Sequence, residues 1–229
     1  MATKVIVTGK ISLVIQFLIG GVDTYALTLP RSHDVLLRDL LKVELGVQIV
    51  EFIFYLWMLR QWKSNPKNNL KRILRFRYCD WFMTTPTMLI TLMAFLGGAP
   101  QQSLFSFIQQ HWNFITNVLF LNLSMLWIGL LGEWGTIPQA HSVVLGFIPF
   151  IIYFGMIYKR FVFTNKQLPS YKVQMFYYFF IIWSLYGVIG FFPPVVRNIG
   201  YNILDLFSKN VIGVVLSFLL IQRPPSVKY

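Results

Sequence analysis

The stretch Asn202-Ile203-Leu204-Asp205-Leu206-Phe207-Ser208-Lys209-Asn210 places a carboxylate and an amine inside an apolar segment that continues through Val211-Ile212-Gly213-Val214-Val215-Leu216 to Leu220. Read as a helix, it puts Asp205 and Lys209 at i and i+4, on one face and about 6 Å apart along the axis. The run is long enough to cross a bilayer, where an ionisable side chain is costly unless it finds a partner. Two readings of Lys209 follow. An amine shielded from water is suited to form a Schiff base with a carbonyl compound. Alternatively, Lys209 and Asp205 form a structural ion pair in a membrane transporter.

The rest of the chain fits a membrane setting. Of 229 residues, 56% are hydrophobic, 17% aromatic and 12% charged, against roughly 25% charged in soluble domains. Mean hydropathy is +0.60. Windows of about 20 mostly apolar residues recur along the chain. They predict seven spans, at about 5–29, 35–62, 73–96, 103–131, 140–163, 171–192 and 198–222. The expected fold is an all-α membrane protein, a seven-transmembrane-helix bundle forming one domain over residues 1–229. The first span lacks a small-residue cleavage site and reads as a retained helix. Pro30 to Asp34 makes a turn in which Ser32 or Asp34 caps the second helix. Basic loops cover 63–72 and 159–172, Pro193-Pro194 closes the sixth span, and Pro224-Pro225 stops the seventh.

The net charge of +12 sits in loops and helix ends, which favours anionic lipid headgroups over nucleic acid. The distribution of basic residues does not fix the orientation. Cys79 stands alone, so no intrachain disulfide forms. The Asn122-Leu123-Ser124 acceptor sequence falls inside an apolar span and carries no message. His33, His111 and His141 are scattered, as loop or helix-end residues are, rather than spaced as metal ligands.

Three stretches carry a family resemblance. Arg77-Tyr78-Cys79-Asp80-Trp81-Phe82-Met83-Thr84-Thr85-Pro86 resembles the third helix of microbial rhodopsins, whose pattern is R-Y-x-D-W-x-x-T-T-P. Trp183-Ser184-Leu185-Tyr186 resembles their sixth-helix W-x-x-Y, and Asp205-x-x-x-Lys209 their seventh-helix retinal site. All three occur in order on the matching spans. The resemblance implies all-trans retinal as a Schiff base on Lys209, Asp80 and Asp205 as counterions, and an outside N-terminus with a cytoplasmic C-terminus. Thr84 and Thr85 belong to the same pocket motif. The wording Asp205-Leu206-Phe207-Ser208-Lys209-Asn210, with two glutamates on the second helix, is similar to viral rhodopsins of large algal-type viruses. One branch of that group is understood as light-gated cation channels. The implied setting is a membrane of a virus-infected host cell, and the implied partners are retinal, the lipid bilayer, transported cations and further copies of the chain.

The residues support that implication physically. A protonated Schiff base is a buried cation and needs nearby carboxylates, which Asp80 and Asp205 supply. Arg77, one turn from Asp80, balances the extra negative charge. Trp81 and Trp183 are suited to clamp a polyene, and Tyr55 and Tyr186 to hydrogen-bond Asp205. In proton pumps of the resembled family, a carboxylate lies eleven residues after the Asp80 position and another eight before the Asp205 position. Here those places hold Thr91 and Arg197, and Gly187 replaces the proline after the W-x-x-Y motif.

Acidic residues stand elsewhere. Glu44, Gln48, Glu51 and Tyr55 fall in a narrow arc of the second helix. Intramembrane carboxylates on one stripe usually face a bundle interior or a water path. Ser12 and Gln16 form a stripe on the first helix, Arg77, Asp80, Thr84 and Thr91 on the third, and Asn198, Asn202, Asp205 and Lys209 on the seventh. Converging, these stripes make an acidic passage that favours cations. The expected function is a light-gated cation channel, not an enzyme. Its pathway residues are Glu44, Glu51, Ser12, Asn202 and Arg77. Glu44 has two other readings, as the displaced proton donor of an outward pump or as a residue snorkelling to the membrane surface. A sensory photoreceptor is a third class, and it would carry no current.

Overall fold

A computed structural model describes residues 2–29, 34–64 and 69–222. Among these residues the regular elements are all helical: α1 (Ala2–Thr28), α2 (Val35–Ser64), α3 (Asn69–Gly97), α4 (Leu104–Gln110), α5 (Trp112–Trp134), α6 (Gln139–Ile157), α7 (Ser170–Gly190), α8 (Pro194–Asp205) and α9 (Val211–Gln222). Wide π-turns follow α6 at Tyr158–Phe163 and join α8 to α9 at Leu206–Asn210. The last transmembrane segment is thus α8, a π-turn and α9 in succession.

Six segments are long and apolar enough to cross a membrane: α1, α3, α5, α6 with its π-turn, α7, and α8 through α9. The seventh helix of the bundle is α2. It is 30 residues long, but Glu44, Gln48 and Glu51 interrupt its apolar run, and all three are buried. The bundle closes as a ring: α1 packs on α2, α2 on α3, α3 on α5, α5 on α6, α6 on α7, α7 on α8, and α8 and α9 return to α1. Large apolar side chains such as Phe17, Phe120, Ile152 and Phe218 point outward, as lipid contact requires, while the acidic residues other than Asp39 are buried.

The fourth predicted span is not one helix. The chain breaks at His111 (φ −113°, ψ 17°) between α4 and α5. A continuous helix over 104–134 would be about 46 Å long, well beyond a hydrocarbon core of about 30 Å. The chain turns instead, and α4 packs against α2 and α3, with Phe107 fully buried and the Leu104 N–H donating to Asp39 Oδ2 at 3.3 Å. The third helix starts at Asn69, earlier than expected, so Lys71 and Arg72 lie on α3 rather than in a loop. Pro194 opens α8 instead of closing the preceding span; its missing N–H costs nothing in the first helical turn. Asp34 caps α2, accepting from the Leu37 N–H at 2.8 Å. Ser32, His33 and the Pro224-Pro225 stop lie outside the described residues. Gly135, at φ 82°, ends α5 in the left-handed conformation that glycine adopts without strain.

Candidate functional site

Lys209 sits in the π-turn of the last segment, 2% exposed, and its Nζ donates to Asp80 Oδ2 of α3. Asp205, one turn earlier, does not pair with Lys209. Its Oδ2 accepts from Arg77 Nη1 at 2.6 Å and Tyr55 Oη at 2.9 Å, and its Oδ1 from Tyr186 Oη at 2.7 Å. Two buried cations, Arg77 and Lys209, therefore face two buried carboxylates. That pairing is what makes such charges tolerable, since an uncompensated one is strongly destabilising. Arg77 is fully buried, with Cζ 5.1 Å from the Phe54 ring centre and 5.7 Å from those of Tyr55 and Tyr201. Its Nη2 donates to Asn202 Oδ1 at 2.7 Å, and Asn202 Nδ2 donates to Thr8 Oγ1 at 3.0 Å. One polar network thus ties α1, α2, α3, α7 and α8 together.

On the other side of Lys209 lies a pocket with mainly apolar walls. Trp81, Met125, Phe150 and Trp183 line it, with Lys209 and Ser208 also in its wall. Gly187, where the resembled pattern has proline, has a packing reason. A Cβ there would fall 2.5 Å from the Phe147 ring of α6, so the glycine admits that ring beside the pocket. Of the expected pocket residues, Trp81, Thr85, Trp183, Tyr186 and Lys209 line it. Asp80, Asp205 and Tyr55 surround the amine from the polar side instead. Thr84 donates to its own helix, to the Asp80 carbonyl at 2.9 Å. Thr85 bridges to Asn122 Oδ1 of α5 at 2.9 Å.

A sequence model of the family described as bacteriorhodopsin-like protein matches residues 8–223. The chain belongs to the bacteriorhodopsin-like family. No curated protein matches it. Among solved structures, it is similar to the viral rhodopsin OLPVRII, with TM-score 0.80 and 25% identity over 95% of this chain and 98% of that one. Thermophilic rhodopsin follows at TM-score 0.75 and 18% identity, covering 97% and 94%. Xanthorhodopsin, described as a light-driven ion pump with dual chromophore, stands at 0.73 and 16%, covering 96% and 93%. Membership of this rhodopsin family implies a retinal chromophore bound to a lysine in a multi-pass membrane protein. The residues present fit that group: a buried amine in the wall of an aromatic pocket, with a carboxylate already on it.

The second-helix carboxylates of this rhodopsin are fully buried. Glu44 and Glu51 are each 0% exposed; Thr91 is within hydrogen-bonding reach of Glu44, and no protein group donates a hydrogen bond to either oxygen of Glu51. Glu51 lies within electrostatic range of Lys209, Asp205 and Asp80. Glu44 lies beside Thr91, about 10 Å along the α2 axis from Glu51. The snorkelling reading of Glu44 does not hold, since its carboxylate never reaches a surface. Ser12 and Gln16 bond each other at 3.0 Å within α1. Members of three predicted stripes meet, Tyr55 of α2, Arg77 and Asp80 of α3, and Asn202, Asp205 and Lys209 of the last segment, while Ser12 and Gln16 are buried on α1.

Sequence reasoning missed two features. Asp23 of α1 is fully buried, accepting from Gln48 Nε2 and Ser217 Oγ, each at 2.6 Å. The signal was present: Asp23 follows Ser12 by eleven residues, almost three whole turns, and so shares its face. Second, Arg197 makes a buried ion pair with Glu133 of α5. Gln139, its amide turned to suit its neighbours, accepts from Arg197 Nη1 at 3.0 Å and donates to the Gly132 carbonyl at 3.2 Å. Arg197 had registered only as a missing carboxylate, although a buried arginine demands one nearby.

Proposed function

We propose that this rhodopsin is a light-gated cation channel whose path is the polar column between α1, α2, α3 and the last segment. The observation that carries the reading is the pair Glu44 and Glu51, two fully buried carboxylates on one helix face, Glu51 with no protein hydrogen bond to either oxygen. Leaving a buried polar atom unpaired costs roughly 1–3 kcal/mol, and more for a charge. Buried polar atoms that the protein leaves unpaired are ordinarily satisfied by water, so these carboxylates mark a path that water and ions can enter. Retinal, linked to Lys209, supplies a light-driven change of shape and a displaceable proton beside Asp80.

The chain's residues divide the remaining work. Asp80 Oδ2 accepts from the Lys209 nitrogen and is the oxygen placed to take its proton. Asp205, held by Arg77, Tyr55 and Tyr186, stays as the fixed negative charge. Arg77, Asn202 and Thr8 close the column at the end where α1 begins, since a guanidinium in the path repels cations. Glu51 draws cations into the middle, and Glu44 with Thr91 forms the constriction toward the other end. The N-terminus lies outside and the C-terminus in the cytoplasm, in a membrane of a virus-infected cell, and the 229 residues act as one retinal-binding unit.

An outward proton pump is the second reading. It rests on Glu44 beside Thr91, where a carboxylate could return a proton toward Lys209. Photocurrent under voltage clamp, with retinal added, separates the two. Channel function predicts a current that reverses near the cation equilibrium potential, with altered selectivity or kinetics in Glu44→Gln and Glu51→Gln. A current outward at every potential establishes the pump. A reversing current untouched by both substitutions refutes this path.

A further inference from the structure

Asp23 takes no part in the mechanism above, yet it is a buried carboxylate in the middle of a membrane bundle. Three helices converge on it: α1 carries it, and α2 and α9 each send it a hydrogen-bond donor, from Gln48 and Ser217. The backbone makes room as well. A Cβ at Gly213 of α9 would collide with Asp23 Oδ2 and stand 2.6 Å from Gln48 Nε2. On the other side of the amide, Gln48 Oε1 is 3.5 Å from where a Cβ on Gly20 would be. Two glycines thus flank the carboxylate and the amide that holds it.

The surroundings are rich in oxygen and poor in donors. Gln48 Oε1 has no protein partner, and Glu44 has Thr91 within hydrogen-bonding reach. Glu44 lies one turn before Gln48 on α2 and within electrostatic range of Asp23. No buried arginine or lysine pairs with Asp23 among the described residues. A purely structural tether between α1, α2 and α9 would be served as well by neutral groups, because a buried unpaired charge weakens a fold. Carboxylate, amide and hydroxyl oxygens together are the donor set that alkali cations prefer.

We propose that Asp23 is a selectivity-determining residue of the column, holding a transiting alkali cation at the end remote from Asn202, with Gln48 and Ser217 fixing its carboxylate. The inference rests on the channel reading given above. Ser217 and Gln48 draw negative charge from the carboxylate, so they keep the hold weak enough for release.

The test uses the full-length protein with retinal, Na⁺ as the permeant probe, and Asp23→Asn and Ser217→Ala beside wild type. Absorption spectra check that each variant keeps its pocket. Asp23→Asn should raise the Na⁺ concentration at half-maximal photocurrent at least about twofold, and move the reversal potential under a NaCl gradient toward zero, as expected when a charge that concentrates cations is removed. Ser217→Ala, which removes a donor and leaves the charge, should lower the half-saturating Na⁺ concentration. It also serves if Asp23→Asn fails to fold. Wild-type current that never reverses defeats the channel reading itself. Reversing wild-type current, with half-saturation and reversal potential unchanged in the folded variants, overturns the role of Asp23 alone.

Discussion

Glu133→Gln isolates the buried ion pair between α5 and α8. The side chains of Arg197 and Glu133 are 7% and 3% exposed. Removing one partner of such a pair typically costs about 3–5 kcal/mol, because the other charge stays buried and uncompensated. Two features reduce that figure here. The new amide keeps an oxygen that can accept from Arg197, and Gln139 already offers another at 3.0 Å. We therefore expect a loss of about 2–3 kcal/mol, an ion-to-neutral hydrogen bond replacing an ion pair. For a chain of this size, that lowers the melting temperature by roughly 4–12 °C. Thermal melts of the detergent-purified protein, followed by far-ultraviolet circular dichroism, supply the measurement. The double variant Glu133→Gln with Arg197→Gln removes both charges and should recover to within about 1 kcal/mol of wild type. A single variant that melts with wild type, or a double variant no better than the single, refutes the reasoning.

Lys209→Ala should give a protein that develops no visible absorption band when retinal is added, while circular dichroism still reports a helical bundle; a band of wild-type intensity would place the chromophore elsewhere. His111, between α4 and α5 and outside the spans, has its imidazole held below the usual histidine range by partial burial and by the Arg160 guanidinium 3.0 Å away. The unfolded chain therefore binds that proton more readily, and the His111 contribution to stability is lost as pH falls through about 6.5 and below. His111→Gln should show a smaller drop in melting temperature between neutral and mildly acidic pH than wild type, and equal drops would remove His111 from the acid response.

The number of long apolar runs and their order could be read directly, because membrane burial writes itself into composition. The aromatic pocket beside Lys209 was legible for a different reason. Its motifs keep Trp81, Trp183 and Lys209 at spacings that survive any local detail of the helices. The break at His111 was not legible, since Ser103 to Leu131 is apolar throughout and only the bilayer thickness argues against a single helix. Asp23 and Glu133 were overlooked because each stands near a predicted helix end, where a carboxylate is ordinarily solvated. Burial came from partners far along the chain, Ser217 for one and Arg197 for the other. The pairing of Lys209 with Asp80 rather than Asp205 was beyond reach for a related reason. It depends on a widened turn, and no residue type in Leu206–Asn210 announces one.

That widened turn sets the angular phase of the whole last segment. In an uninterrupted α-helix, Asp205 and Ser217 would point about 120° apart around the axis, because twelve residues advance the helix by three turns and a third. A π-turn absorbs one extra residue, so the same interval behaves as eleven and the two side chains come within about 20° of each other. Gly213 falls into line by the same shift. The extra residue thus works like a vernier, letting one continuous segment present Asp205 to α2 and α3 and Ser217 to the Asp23 carboxylate of α1. The break in regularity also leaves the Phe207 carbonyl to accept from Tyr178 Oη of α7 at 2.7 Å. A regular α-helix over the same residues would keep every side chain named here and turn α9 by about 100°. The carboxylate on α1 would then face a different wall.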